Sequence, residues 1–293
     1  DSFNKKPQET KNILNKNENT IFTLKSHQLF VKNFLSKHTP YKSLLLYHGL
    51  GTGKTCSAIG IAMEKIKYMI SINQKRKIII VCSPNIRENF KKQIFNEQKL
   101  NDINWMLNSC VGDDLMKIVN PSFSLKNKDK IKEKVNAFID EWFIFMGYKG
   151  LSNSIKKSKQ SNKLIDDFDD RLIIIDEIHN IRSENEEEKD KVILNNFQTM
   201  IEECNNIKLL LLSATPMFNN YSEIIWLINF ININDNRPIV NHNDIFDSNG
   251  NFKIDLDTGE EIGKKKFIKK INGYVSFVQG NSPFTFPFRI YTS

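Results

Sequence analysis

Ser43-Leu44-Leu45-Leu46-Tyr47-His48-Gly49-Leu50-Gly51-Thr52-Gly53-Lys54-Thr55 passes from an apolar run, through a glycine-rich turn, to a Lys-Thr pair. The run Ser43 to Tyr47 reads as a buried strand, and the residues from Lys54 to about Ile70 read as a helix. A glycine-rich turn between strand and helix aims backbone N–H groups and the positive end of the helix dipole at one point, the environment that holds phosphate oxygens. Gly49, Leu50, Gly51, Thr52 and Gly53 supply that backbone. Gly51 and Gly53 permit conformations that a Cβ would forbid. In such a loop Lys54 reaches the β- and γ-phosphates of a nucleotide and the Thr55 hydroxyl faces Mg²⁺. The strict spacing G-x-x-x-x-G-K-[ST] asks for glycine where this chain has His48, the most tolerant position of the loop. A plain glycine-rich turn is the rival reading, and it leaves the Lys-Thr pair at a helix start unexplained.

Two further apolar runs end in polar turns. Leu172 to Ile175 leads into Asp176-Glu177-Ile178-His179, and Ile207 to Leu212 leads into Ser213-Ala214-Thr215. Ligands of open α/β sheets bind at the carboxyl ends of strands. There Asp176 is expected to hold Mg²⁺ through its water shell, with Glu177 polarising the attacking water as general base. Alone, an Asp-Glu pair is as readily a solvated turn. His179 is read as a hydrogen bonder, with no proton transfer assigned to it. The hydroxyls of Ser213 and Thr215 are placed to touch the carboxylates and sense the γ-phosphate, although alone they would be a polar cap before Pro216. Upstream, the Gln28 amide offers the donor and acceptor needed to read adenine, and by itself would pass for a surface residue.

The remaining chain fits one large α/β domain. Its 293 residues carry 40% hydrophobic and 11% aromatic content, as expected of a globular protein. No apolar run approaches the roughly 20 residues needed to span a bilayer, so no membrane partner is expected, and the first residues do not form a signal peptide. The chain does not begin with Met, which suggests an excised or processed piece. Cys56, Cys82, Cys110 and Cys204 lie far apart without a CxxC pair, so they are read as packing residues of a protein from a reducing compartment. The net charge of +8 favours a polyanionic partner, yet an Asn-, Ile- and Lys-rich composition also follows from nucleotide bias in a coding genome.

Along the chain, residues 1–20 read as a flexible arm and residues 21–230 as the nucleotide-binding domain. Residues 231–293 read as an extension toward a further domain. A short amphipathic helix is expected over Leu24 to Leu35. Lys77 to Cys82 is a second buried strand, followed by a helix from Ile86 to Leu100. The middle is less regular. Trp105 to Val111 and Trp142 to Met146 are expected strands, Lys128 to Asp140 a charged helix, and Lys156 to Lys163 a loop. An acidic turn (Glu184 to Asp190) and helices over Val192 to Cys204 and Ser222 to Phe230 complete the alternation, which implies a mostly parallel sheet covered on both faces. Asp247 to Asn251 is a hairpin turn that resembles a calcium loop only loosely. For nucleic acid, the candidates are Ser83, Pro84, Asn85 and Arg87, together with Lys149 in Gly147-Tyr148-Lys149-Gly150. The lysine clusters at 126–134, 156–163 and 264–270 are read as solvated faces.

The ordered set Gln28, Gly51-Thr52-Gly53-Lys54-Thr55, Ser83-Pro84-Asn85, Asp176-Glu177-Ile178-His179 and Ser213-Ala214-Thr215 resembles the first RecA-like domain of superfamily 2 helicases, as the Q motif and motifs I, Ia, II and III. Thr39 to Gly49, Asp176 to Arg182, Leu212 to Met217, and Gly273 to Val278 with Phe286-Pro287-Phe288-Arg289 look like helicase-like ATPases of large DNA viruses. The poxvirus early transcription factor small subunit and nucleoside triphosphate phosphohydrolase I are of that group. The resemblance implies an ATP- and Mg²⁺-dependent hydrolase that moves on DNA or RNA, in a virion or host cytoplasm, with viral RNA polymerase or transcription factors as partners. It also implies a second RecA-like domain carrying motifs IV to VI and an arginine finger, for which no room follows Ser293, so slow turnover is expected of this chain alone. Two alternatives remain: an AAA-type ATPase that remodels proteins, for which no helical lid or second sensor Arg is visible, and a non-catalytic ATP-binding subunit of a transcription complex.

Overall fold

The computed structural model describes residues 24–97, 109–122, 127–181, 188–217 and 223–279. The expected arm over 1–20, most of the strand expected from Trp105, much of the acidic turn and the tail after residue 279 lie outside the described residues.

The elements run α1 (Ser26–Phe34), β1 (Ser43–His48), α2 (Lys54–Ser71), β2 (Ile78–Val81), α3 (Pro84–Ile94), α4 (Gly112–Val119), α5 (Lys128–Trp142), β3 (Phe143–Met146), α6 (Tyr148–Gln160) and α7 (Leu164–Phe168). Then come β4 (Leu172–Ile175), a single 3₁₀ turn (Ile178–Asn180), α8 (Glu188–Glu203), β5 (Lys208–Ser213), α9 (Glu223–Asn234), α10 (His242–Ile245), α11 (Ile262–Ile271) and β6 (Val275–Val278). The strands form a six-stranded sheet in the order β3-β2-β4-β5-β1-β6. Every neighbouring pair is parallel. The fold is the α/β, RecA-like arrangement expected of the alternating pattern, with β5 inserted between β1 and β4.

Strand alternation divides the core in two. Leu44, Leu46, Ile78, Ile80, Leu172, Ile174, Leu210 and Leu212 pack with α1 to α5. Leu45, Ile79, Val81, Ile173, Ile175, Leu209 and Leu211 pack with α6 to α10. Each fully buried Leu or Ile contributes about 1.5–3 kcal/mol relative to exposure, so these strands can be apolar on both faces, as in covered parallel sheets.

Three expectations are corrected. The stretch Lys156 to Lys163 is mostly helix, not loop: α6 buries Leu151, Ser152, Ile155 and Ser158 while its lysines face outward. Small polar residues let it pack closely, with Asn196 donating to Ser152 Oγ at 2.8 Å and Ser158 donating to Asp167 at 2.6 Å. The helix after β2 starts earlier than expected, at Pro84, and ends at Ile94, short of Leu100. The cysteines are not all packing residues. Cys56 is disulfide-bonded to Cys110 while Cys82 and Cys204 are free and buried, so cysteine spacing no longer supports a reducing compartment. A pairing across 54 positions depends on α2 meeting the segment before α4, which no local spacing reveals.

The boundary expected after residue 230 falls inside α9, and β6 pairs with β1. The hairpin turn is present: Phe246 bridges Phe252, and the Asp247 carboxylate accepts from the backbone N–H groups of Asn249 and Asn251 at 2.8 and 2.9 Å. Among the described residues no helix is long and apolar enough to cross a membrane.

Candidate functional site

Parallel register brings the three polar turns to one edge. Leu45 and Ile175 both stand opposite Leu211, so the turns after β1, β4 and β5 leave the sheet at nearly the same level. With one strand between them, β1 and β4 lie about 10 Å apart.

The loop after β1 is held from several sides. Gly51 and Gly53 adopt φ of 74° and 86°, left-handed values that favour glycine. Thr52 Oγ1 donates to Gly49 O at 2.7 Å, and Gly49 N donates to Val278 O of β6 at 2.9 Å. Lys54 Nζ donates to His48 O at 2.7 Å. Leu50 stands exposed at the tip. Gln28, from α1, is buried against this loop: Nε2 donates to Gly53 O at 3.2 Å, and Oε1 accepts from Lys25 N at 2.9 Å. A nitrogen of the neighbouring His27 ring lies 3.1 Å from Thr52 O. His48 is fully buried, with Nε2 2.9 Å from Ser276 Oγ. Burial first, then His27 and Lys54, lowers its pKa to about 4, so its ring is neutral near pH 7.

Asp176 is buried, and its N–H donates to Val81 O at 2.9 Å. Burial and the adjacent Glu177 raise its pKa to about 6, against the opposing pull of Lys54. That opposition records the proximity of Lys54 and Asp176, although β1 and β4 are not neighbours. Glu177 has a left-handed backbone, φ 49°. Its buried Oε2 has no hydrogen bond and lies 3.3 Å from His179 Nδ1. The same His179 nitrogen is 3.0 Å from Ser213 Oγ, which also accepts from Thr215 N at 3.0 Å. Ser213 therefore reaches Glu177 through the imidazole and not by the direct contact expected of it. Thr215 is exposed and joins through its backbone.

One residue of this turn was missed by the pattern of motifs. Tyr148, the first residue of α6, donates its hydroxyl to Asp176 O at 2.5 Å and approaches Glu177 O at 3.3 Å. Burial, together with the nearby carboxylates, pushes its pKa up to about 12, so the phenol stays protonated and keeps donating. The sequence offered an aromatic hydroxyl just after an apolar run. Only the order β3-β2-β4 brings it to the Asp-Glu turn.

Val81 stands opposite both Met146 and Ile175, so Ser83, Pro84, Asn85 and Arg87 at the start of α3 and Lys149 in the first turn of α6 share the edge that carries Asp176. Lys149 is exposed; Arg87 Nε is buried without a hydrogen bond.

A family model described as the SNF2-related domain matches residues 27–275. Among curated relatives, a candidate ATP-dependent RNA helicase of Acanthamoeba polyphaga mimivirus is 31% identical over 263 residues, covering 89% of this chain and 41% of its own length. Nucleoside triphosphatase I of Amsacta moorei entomopoxvirus is 27% identical over 248 residues, covering 82% of this chain and 32% of its own length. Among solved structures, the Sulfolobus solfataricus SWI2/SNF2 ATPase core in complex with dsDNA is 16% identical with a TM-score of 0.49, covering 89% of this chain and 45% of that one. The chain thus spans less than half the length of the relatives it matches.

Proposed function

The chain belongs to the SNF2-related domain family, and we propose that it is the nucleotide-binding lobe of an ATP-driven motor acting on DNA or RNA. The observation that carries this reading is the shared edge: a glycine-rich loop with Lys54, the Asp176-Glu177 turn and the Ser213 turn all leave one sheet end at one level.

The residues fit a magnesium–nucleotide pair. Lys54 supplies a cation for the phosphates, and loop N–H groups with left-handed glycines leave room for close approach. Asp176, a buried carboxyl whose pKa desolvation raises, gains from a nearby divalent cation. Thr55 and Asp176 are the proposed holders of Mg²⁺, which when bound neutralises charge on the β- and γ-phosphate oxygens. The Glu177 carboxylate, whose buried Oε2 makes no hydrogen bond, is the proposed proton acceptor for the attacking water. His179 holds that carboxylate and passes its position to Ser213; Tyr148 fixes the turn from the other side. Gln28, seated on the loop, is the proposed adenine reader.

Nucleic acid is assigned to the neighbouring turns Ser83 to Arg87 and Gly147 to Lys149, because these follow β2 and β3 at the level where the Asp-Glu turn follows β4. An arginine finger from a second RecA-like domain of the same parent polypeptide would complete the site, which makes the chain alone a slow hydrolase. The mimivirus and entomopoxvirus relatives support a viral setting; a role in transcription, in a virion or host cytoplasm, is proposed on the resemblance of the motifs.

The test compares Lys54→Ala with Glu177→Gln in the full-length parent. Lys54→Ala is expected to abolish nucleotide binding, whereas Glu177→Gln keeps binding and stops hydrolysis. Equal loss of binding in both would refute the division of labour. Stimulation of turnover by neither DNA nor RNA would refute the motor.

A further inference from the structure

At the opposite edge of the sheet, where β4 and β5 begin, a cavity of about 280 Å³ opens between α1 and α2. It lies about 20 Å from the glycine-rich loop, since α2 starts at Lys54 and reaches the cavity with Ile61, Lys65 and Tyr68. Leu35, Ile61, Leu172 and the Tyr68 ring form its apolar part.

Its charge is one-sided. Five lysines and His38 line it, against Glu64 as the one lining carboxylate. Glu64 is paired with Lys32 at 3.2 Å, and Lys67 with Asp114 at 2.5 Å. Lys37, Lys65 and Lys208 have no carboxylate in direct contact among the described residues. Lys208 Nζ donates to Tyr41 O at 2.5 Å and Ser36 O at 3.3 Å. Lys37 Nζ sits 4.1 Å from the Tyr68 ring centroid, and Lys65 lies over the same ring at 5.8 Å. Burial lowers the pKa of both Lys65 and Lys208, and the nearness of Lys65 lowers Lys208 further, with Asp170 and Asp235 opposing from a distance. Two half-buried ammonium groups facing one concavity repel each other until an anion stands between them.

We propose that this cavity binds a phosphorylated small molecule of mononucleotide size, its phosphate between Lys37, Lys65 and Lys208 and its flat part against Tyr68. The volume lies just below the roughly 300–1,000 Å³ range of small-molecule sites, as suits a small ligand, and a concave site suits a compact ligand better than a polymer backbone. This site is independent of the hydrolysis reading, because the two lie at opposite ends of α2.

The test uses uridine 5′-monophosphate and titration calorimetry on the full chain carrying Lys54→Ala, which removes the loop lysine. Binding is expected there, weakened at least tenfold by adding Lys37→Gln and Lys65→Gln, and at least tenfold weaker for uridine without its phosphate. Thermal unfolding checks that the variants fold, and the single variant Lys37→Glu, at an exposed position, serves if the combined one does not. Absence of binding in Lys54→Ala, or equal binding after loss of the cavity lysines, overturns the proposal. Tighter, lysine-dependent binding of a 5′-phosphorylated oligonucleotide would overturn it too, by making the site a nucleic-acid contact.

Discussion

The two edges of this sheet hold their polar groups by opposite means. At the carboxyl edge, short turns hold backbone N–H groups, a buried carboxyl and a left-handed Glu177, each fixed by a second element: β6 on the loop, α6 on the Asp-Glu turn, α1 on Gly53. At the amino edge, long lysine side chains from α1, the turn after it, α2 and β5 converge on a cavity, two of them paired with carboxylates. Turns preorganise charge and so suit chemistry; flexible ammonium groups gather charge and so suit binding. Substitutions in the Asp-Glu turn should therefore change rate more than affinity, whereas Lys54 of the loop serves binding.

The strongest test of that contrast is Glu177→Gln, with turnover expected to fall about a thousandfold, within the usual 10²–10⁴ range for a positioned base. Nucleotide affinity, read by equilibrium titration, should stay within about twofold. A parallel loss of affinity would mean that this edge binds through the same residue that reacts.

Next in size is Tyr148→Phe, which removes only the hydroxyl from the Asp176 and Glu177 carbonyls. Single-turnover hydrolysis is expected to slow about tenfold at unchanged affinity, and denaturant unfolding to lose about 1 kcal/mol. Lost stability at an unchanged rate would reduce Tyr148 to a packing residue.

Gly53→Ala sharpens the fixing of the loop by α1. An added Cβ would meet Gln28 Nε2 at 2.4 Å, at φ of +86°. A cost of about 1–3 kcal/mol is expected from the backbone alone, and pairing the change with Gln28→Ala should return the part due to the clash, as a double-mutant cycle reads it.

The smallest effect concerns His48. With its folded pKa near 4 against the ordinary 6.5, the unfolded chain binds the extra proton between those values, so His48 makes stability fall as pH drops from 6.5 toward 4. Asp176, raised from 3.8 to about 6, acts with the opposite sign, favouring the fold as pH falls through that window. Chemical unfolding at pH 6.5 and 5.5 should lose about 1 kcal/mol more for the wild type than for His48→Asn. An unchanged difference would mean that the buried ring carries its proton in the fold.

The sequence made the strands at both edges readable, because β1, β2, β4 and β5 are apolar on both faces and stop at Gly, Pro or Asp-Glu signals. Lys54, Asp176, Glu177 and Ser213 were recognisable because each follows such a run. What stayed hidden were the contacts among them. His179 between Glu177 and Ser213, Tyr148 behind the Asp-Glu turn and Ser276 on His48 all depend on strand order, and no local period encodes that. Helix α6 was hidden for another reason: its buried stripe uses two serines where a hydrophobic pattern expects larger side chains. The disulfide between Cys56 and Cys110 was hidden by its long separation.

The pairing of Leu45 with Val275, 230 positions later, also governs how the molecule comes into being. At ribosomal speeds of about 5–20 residues per second, β1 waits roughly 10–50 s for the second side of its ladder, β5 reaching the first side earlier. Of the strands in this sheet, the one that carries the glycine-rich loop is thus synthesised first and enclosed last. Until β6 arrives it is an open edge, the kind of surface on which nascent chains join one another.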